Sequence, residues 1–527
     1  MRRHWVYSIA ILLVAVGALA FRLPRLDMRP MHPDEGNQAY KAGVLLDQGI
    51  YRYDPHQHHG PTLYFLTLPS CWLGGARSFA DTADAHFRIV PVVFGVGLVG
   101  LLWVAGAGLG WPAALCAGVL TAVSPAMVFY SRYYIQEMLL VFFTFGAIAS
   151  GWRYTWTQKA RWAVLAGVFL GLMHATKETC VLAYAAMGLA VLGKLTWRRW
   201  WGHPITIHKL LHRWHVVAGV VAALVVSVVF FSSFFTHWRG PLDSVLTYTH
   251  YLHRSGGDGL HDHPWHYYLK MLLYTHVARG PWWSEAFVMA LALVGFVAVL
   301  HPQGIPEATT PLARFVAFYT LFLTAFYCVI PYKTPWCLLG FLHGMILLAG
   351  VGAVVVVHLS PGRVGKGVAV ALLAVGGWLF GAEAYNTSFK FHTDRRNPYV
   401  YAHTSRDVLN LAERVADIAK VDPRGNEMLV HVIAADRDYW PMPYYLRKLR
   451  NVGYWSDVPD DLDSSMIIFH DSFQEAVDAA LRRGKPDGWK PEDDWESFVY
   501  GLRPTVHLMA YIRKPLWHEF IQTRSTP

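Results

Sequence analysis

Met31-His32-Pro33-Asp34-Glu35-Gly36 follows closely on an apolar run, Trp5–Arg22, that is long enough to cross a bilayer. Carboxylates are costly in hydrocarbon and common at its edge, so this order reads as a chain leaving lipid for water. The next residues (Asn37, Gln38, Ala39, Tyr40, Lys41, Ala42, Val44, Leu45 and Leu46) read as a short amphipathic helix. Two readings of the acidic pair are open. Asp34 can N-cap that helix, with Glu35 favoured by its dipole. Alternatively, a carboxylate stands here to act on something that arrives at the membrane face.

Composition extends the first span into many. Of 527 residues, 54% are hydrophobic and only 16% charged, against about a quarter charged in soluble domains. Window hydropathy predicts about eleven spans. They lie near Trp5–Arg22, Phe87–Ala107, Pro112–Phe129, Met138–Trp156, Trp162–Ala175, Cys180–Leu195, Val216–Phe235, Trp283–Leu300, Phe315–Ile330, Trp336–Val357 and Gly367–Tyr385. Pro61–Ala76 is short and carries Pro69, and so reads as an interfacial or re-entrant helix. Trp265–Arg279 reads as another interfacial helix. The net charge of +10 is concentrated in Met1–His4, Arg153–Arg161 and Lys194–Arg213. The positive-inside rule puts all three in the cytoplasm, which accounts for the charge without nucleic acid. Loops 23–86, 130–137, 174–179, 236–282 and 331–335, and everything after about 387, then fall outside. Met1–Ala20 also has the form of a signal peptide, and either reading leaves Asp34 outside. The five cysteines lack CxxC spacing and read as small buried hydrophobes.

The expected fold is mainly α: a polytopic helical bundle over residues 1–387, with an extracytoplasmic α/β domain over 388–527. In the tail, Val408–Lys420 has helical periodicity, with Val408, Leu411, Val415 and Ile418 on one face. Met428–Ala434, Met466–Phe469 and His507–Ile512 read as strands, and Phe473–Leu481 as a helix. No Gly-rich phosphate loop is present. Asp436-Arg437-Asp438-Tyr439-Trp440-Pro441, after a strand, is open to two readings, a site for a polar ligand or an ordinary loop, of which the loop is favoured.

The outward loops collect the chemistry. They carry His32, Asp34 and Glu35; Ser131-Arg132-Tyr133-Tyr134-Ile135-Gln136-Glu137; Thr176-Lys177-Glu178; and Tyr332-Lys333-Thr334-Pro335-Trp336. A carboxylate at the interface can take a proton from a hydroxyl. Arg132, Lys177 and Lys333 can stabilise charge growing on a phosphate leaving group, and snorkelling anchors are the ordinary alternative for each. Tyr133 and His32 are further candidates for substrate contact. His56, His58 and His59 with His261 and His263 are of the ligand type for zinc or another divalent ion, but H-x-H-H fixes no ligand set.

These loops, with Asn397-Pro398-Tyr399-Val400-Tyr401 and Trp440-Pro441-Met442-Pro443-Tyr444-Tyr445-Leu446-Arg447, resemble the GT-C membrane glycosyltransferases. The likeness is to their protein O-mannosyltransferase-like branch, and within it to the prokaryotic flippase activity-associated protein family. It implies an integral transferase of the cell (inner) membrane, using a polyprenyl-phosphate-linked sugar outside the cytoplasm with inversion at the anomeric carbon. The acceptor would be a glycan, lipid or protein. Asp34 resembles the catalytic base with Glu35 as its neighbour, and Glu137, accompanied by Arg132, resembles the second acidic residue. Lys177 and Lys333 are assigned to phosphate by charge and location. The rival reading is a flippase or flippase-associated protein that binds the carrier without chemistry. Charges gathered at one face, with no repeated halves or mid-membrane polar sites, disfavour it.

Overall fold

The computed structural model describes residues 4–56, 59–202, 212–254, 259, 261–302 and 310–525. Two compact units emerge: Met1–Leu26, Gln48–Ser70 and Arg88–Tyr401 form one, and Asp27–Asp47, Cys71–Phe87 and Ala402–Pro527 the other. The expected division near residue 387 differs from this one. The segments bearing Asp34 and residues 71–87 group with the tail.

The first unit is helical. Among the described residues, seven helices are long and apolar enough to cross a membrane: Trp5–Arg22, Asp84–Leu109, Cys180–Trp200, Arg213–Phe231, Pro311–Val329, Pro335–Leu359 and Gly362–Lys390. Apolar helices at Thr62–Leu73, Trp111–Val123, Ala160–His174 and Ala286–Leu300 are shorter. At 1.5 Å per residue such helices reach roughly 18–22 Å, short of a hydrocarbon core of about 30 Å. The eleven expected spans therefore correspond to helices of unequal reach. Glu137–Thr157 has 21 residues, but polar residues at both ends leave no stretch of it apolar enough to count with the seven. The run expected over Pro112–Phe129 breaks at Ser124-Pro125, where Ser124 accepts from the Met127 N–H and starts a second helix, Pro125–Tyr130. The helix expected over Trp265–Arg279 is confined to Tyr267–Leu273. Beyond it Thr275–His276 pairs antiparallel with Trp282–Trp283, around a turn that includes Gly280-Pro281. Close helix contacts rest on glycine. A Cβ on Gly167 would lie 1.9 Å from the Gly219 carbonyl oxygen, and one on Gly352 the same distance from that of Leu291. All five cysteines are free thiols, three buried and two half-buried.

The second unit is built on a five-stranded sheet. Its strands are β1 (Val430–Ile433), β2 (Val452–Trp455), β3 (Met466–His470), β4 (Trp495–Arg503) and β5 (Val506–Arg513). The order is β2-β1-β3-β5-β4. β1 is parallel to β2 and β3, while β5 is antiparallel to β3 and β4. Both faces are covered, as a parallel centre requires. On one face Met466 and Ile468 pack with Val408, Leu411, Val415 and Ile418 of the Asp407–Val421 helix. On the other, Ile467 and Phe469 meet Val477 of the Gln474–Arg482 helix. Each such side chain contributes about 1.5–3 kcal/mol by leaving water. Because β4 runs parallel to β3, the carboxyl ends of β1 to β4 share one edge of the sheet.

Candidate active site

The acidic pair opens a helix, Pro33–Gln48, whose first residue is a proline preset for that position. His32 caps it. Its Nδ1 accepts from the Asp34 N–H at 3.1 Å, and its carbonyl accepts from the Gly36 N–H at 2.9 Å. In return the His32 N–H donates to Glu35 Oε2 at 3.1 Å. This is a capping box with a histidine in the usual serine position. Arg29 Nη2 donates to Glu35 Oε1 at 3.2 Å, and Glu35 is wholly buried. The two residues thus part company. Glu35 holds the turn together, whereas the Asp34 side chain is 49% exposed, with His32 Nδ1 at 3.8 Å. The N-cap role open to Asp34 from sequence belongs to His32, because the helix begins at Pro33 and Asp34 is already its second residue.

The last part of the chain holds this turn. The Met31 N–H donates to the Tyr445 hydroxyl at 2.7 Å, and the Met31 carbonyl accepts from the Thr404 hydroxyl at 2.7 Å. His32 stacks on His403 with ring centroids 6.2 Å apart. Gly36 lets Pro441 approach so closely that a Cβ there would lie 2.5 Å from Pro441 Cβ. Tyr40 packs edge-on against Trp440 at 5.8 Å. Tyr444 donates to Asp84 Oδ1 at 2.5 Å and Arg447 Nη2 to the Thr82 carbonyl at 2.6 Å. The Trp440–Arg447 motif is therefore the element that secures residues 27–47 and 71–87. Arg503, at the carboxyl end of β4, is ion-paired with Asp438 after β1 and lies within the electrostatic reach of Asp34. Arg503 and His403 escaped the sequence reading. Only the Tyr444-Tyr445 motif gave a signal, as part of the resemblance.

Other candidates lie in the helical unit. Glu137 opens the Glu137–Thr157 helix and is ion-paired with Lys177, and both are buried. Glu137 also lines a small pocket with Thr179, Tyr319, Tyr327, Trp336 and Cys337. Tyr133 is buried against Trp336, ring centroids 6.1 Å apart. Arg132 donates to the carbonyls of Arg22, Pro24 (2.7 Å) and Arg25 (2.9 Å), and its guanidinium lies 4.5 Å from the Phe389 ring centroid. It thereby satisfies carbonyls at and just beyond the end of the first helix. Lys333 donates to the carbonyls of Ile330 and, at 3.2 Å, His263, and burial lowers its pKa from the ordinary amine range. Burial, then His261 and Lys333, lower that of the His263 ring. His261 bonds the Tyr401 hydroxyl at 2.6 Å. His59 meets Glu178 at 2.8 Å. Burial pushes the Glu178 carboxyl up, but the charge and hydrogen bond of His59 outweigh it and bring the pKa below the usual value.

For metal binding, His58 lies outside the described residues, and among those described no three His, Cys, Asp or Glu side chains are grouped to hold an ion. Sequence reasoning also passed over Glu285. This buried carboxylate accepts from Ser124 Oγ (2.9 Å) and the Ala126 N–H (3.0 Å), steadying the break before Pro125. A carboxylate immediately before an apolar helix was its available signal.

Comparison with known proteins bears on the fold. A family model for dolichyl-phosphate-mannose-protein mannosyltransferase (PMT) matches residues 71–239. Among curated protein sequences none matches. ArnT from Cupriavidus metallidurans, solved bound to undecaprenyl phosphate, superposes with a TM-score of 0.62 at 16% identity, over 95% of this chain and 97% of that one. The archaeal oligosaccharyltransferase AglB from Archaeoglobus fulgidus, solved with an inhibitory peptide and a dolichol-phosphate, gives 0.52 at 10% identity, over 98% and 77%. The chain has the fold of the GT-C membrane glycosyltransferases: a multi-pass helical bundle followed by a C-terminal sheet domain.

Proposed function

We propose that this protein transfers a sugar from a polyprenyl-phosphate carrier to an acceptor hydroxyl on the extracytoplasmic face, with inversion. The observation that carries this reading is the unequal use of the acidic pair: Glu35 is consumed by the capping box, and Asp34 keeps a half-exposed carboxylate. Asp34 acts as general base. It takes the acceptor proton as the hydroxyl oxygen bonds to the anomeric carbon, and the bond from that carbon to the phosphate oxygen breaks. The polyprenyl phosphate leaves with the electron pair. Arg132, Lys177 and Lys333 supply positive charge toward the phosphate; the carbonyl partners of Arg132 and Lys333 leave their charge intact, while Lys177 shares its charge with the Glu137 carboxylate. Glu137 sets the position and the balance of charge at Lys177. Tyr133 and His32 contribute by shaping the surroundings of these groups. A single displacement of this kind needs no nucleotide.

The test uses purified protein with a panel of polyprenyl-phosphate sugars and with glycan, lipid and peptide acceptors, beside Asp34→Asn. Transfer that inverts the anomeric configuration and is lost in Asp34→Asn is the expected result. Carrier binding without turnover across the whole panel would instead identify a binding or flipping protein.

A further inference from the structure

Met31 is fully buried and lies outside any helix or strand, so neither of its main-chain polar groups belongs to a regular ladder. Both are taken by side chains far along the chain, Tyr445 through its hydroxyl to the N–H and Thr404 to the carbonyl, each at 2.7 Å. A buried main-chain pair must find partners, but loops commonly find them locally. Here two hydroxyls grip one residue through the peptide units on either side of its Cα, three positions before Asp34. The same turn is pressed on Pro441 at Gly36 and stacked on His403 at His32.

We propose that Tyr445 and Thr404 are positioning residues for the chemical step: their clamp on Met31 sets where the Asp34 carboxylate stands. The inference rests on the reading of Asp34 as the base. A base works within hydrogen-bond reach of the proton it removes, and a misplacement of about 1 Å costs on the order of a hundredfold in rate. The clamp is separated from that carboxylate only by His32 and Pro33, and the capping box ties His32 to Glu35. Slack at Met31 is therefore passed to Asp34. Neither substitution removes a group from the surroundings of Asp34: the His32 ring, Arg503 and the partner of Arg503, Asp438, are all kept.

The experiment compares full-length Tyr445→Phe, Thr404→Val, Thr404→Ser and Asp34→Asn in proteoliposomes. Undecaprenyl-phosphate mannose is the donor probe, and a saccharide and peptide panel supplies acceptors. Hydrogen exchange is followed over residues 31–36 and over β1. Tyr445→Phe and Thr404→Val are expected to lower kcat about 10- to 100-fold with the donor KM within about twofold. Exchange rises at 31–36 and not in β1, and Thr404→Ser, which keeps the hydroxyl, restores kcat. The clamp is overturned if kcat in both variants stays within about twofold of the parent, or if exchange rises across β1 as well. If Asp34→Asn turns over like the parent, the base reading fails. The exchange at 31–36 then decides the clamp alone, and unchanged exchange sinks it.

Discussion

At position 34 and position 35 the side chains share a functional group and differ in everything around it. Glu35 accepts from Arg29 and from the His32 N–H inside the protein; Asp34 is half in water. Asp34→Asn is therefore expected to cut transfer about 10²- to 10⁴-fold, the range of a lost general base, with stability within about 0.5 kcal/mol. Glu35→Gln should do the reverse. It weakens a buried, charge-assisted cap and lowers stability by about 1–3 kcal/mol, with a smaller effect on rate in the molecules that remain folded. Parallel assays of turnover and thermal melting separate the two, and equal loss of activity without loss of stability in both would overturn the division of labour. Sequence reasoning marked both carboxylates but could not divide these roles. An acidic first turn is compatible with capping by either, and the competing cap, His32, is not a residue that propensity favours.

Among the elements, the opening turn of the Pro33–Gln48 helix and the Trp440–Arg447 segment behave as a fitted pair. In Gly36→Ala the new Cβ would press on Pro441, 2.5 Å from its Cβ and 3.2 Å from its Cα, and ring and main chain have little room to yield. A stability loss of about 1–3 kcal/mol is expected, accompanied by lower turnover because Asp34 rides on the same turn. A melting curve matching the parent would show that the contact relaxes freely. Elsewhere in the sheet domain, Asp422 follows the Asp407–Val421 helix and accepts from Arg424 (3.1 Å) and from the Ser465 hydroxyl. Burial raises its carboxyl pKa, but these bonds outweigh burial and bring it below the usual 3.8. A depressed carboxylate stabilises the fold above its unfolded pKa, and that contribution is lost as pH falls through the folded value. The gap in melting temperature between the parent and Asp422→Asn is thus expected to be full at pH 7 and to close below about pH 4. A gap that persists in acid would refute the assignment. The buried helix face of Val408, Leu411, Val415 and Ile418, with β1, β3 and β5, was legible because its apolar residues repeat with a clear period. β2 and β4 were not. Val452–Trp455 contains a glycine, and Trp495–Arg503 mixes Glu496, Ser497 and Gly501 into its run.

On the scale of the whole molecule, apolar runs declared the helical bundle, and the sequence motifs carried the resemblance. What a linear reading missed was the partition of the chain, since residues 27–47 and 71–87 group with residues 402–527 across hundreds of positions. Contacts such as Met31 to Tyr445 leave no periodic trace. That partition sharpens one topological expectation. If residues 27–47 share a compact unit with the tail, both must lie on the same side of the membrane; the positive-inside rule separately predicts a cytoplasmic side for the clusters of basic residues. Single cysteines test this directly. Arg52→Cys and Glu475→Cys place thiols at exposed positions, the former five residues beyond segment 27–47 with no span between, the latter on the Gln474–Arg482 helix. Arg199→Cys places one at the basic end of the Cys180–Trp200 helix. A membrane-impermeant maleimide applied to intact spheroplasts is expected to label the first two, and to label Arg199→Cys only after permeabilisation. The five native cysteines are buried or half-buried, so the parent supplies the background. Labelling of Arg52→Cys without Glu475→Cys would break the shared side that the Asp34 turn and the sheet domain require, and with it the reading of Asp34 as a base held in place by the tail.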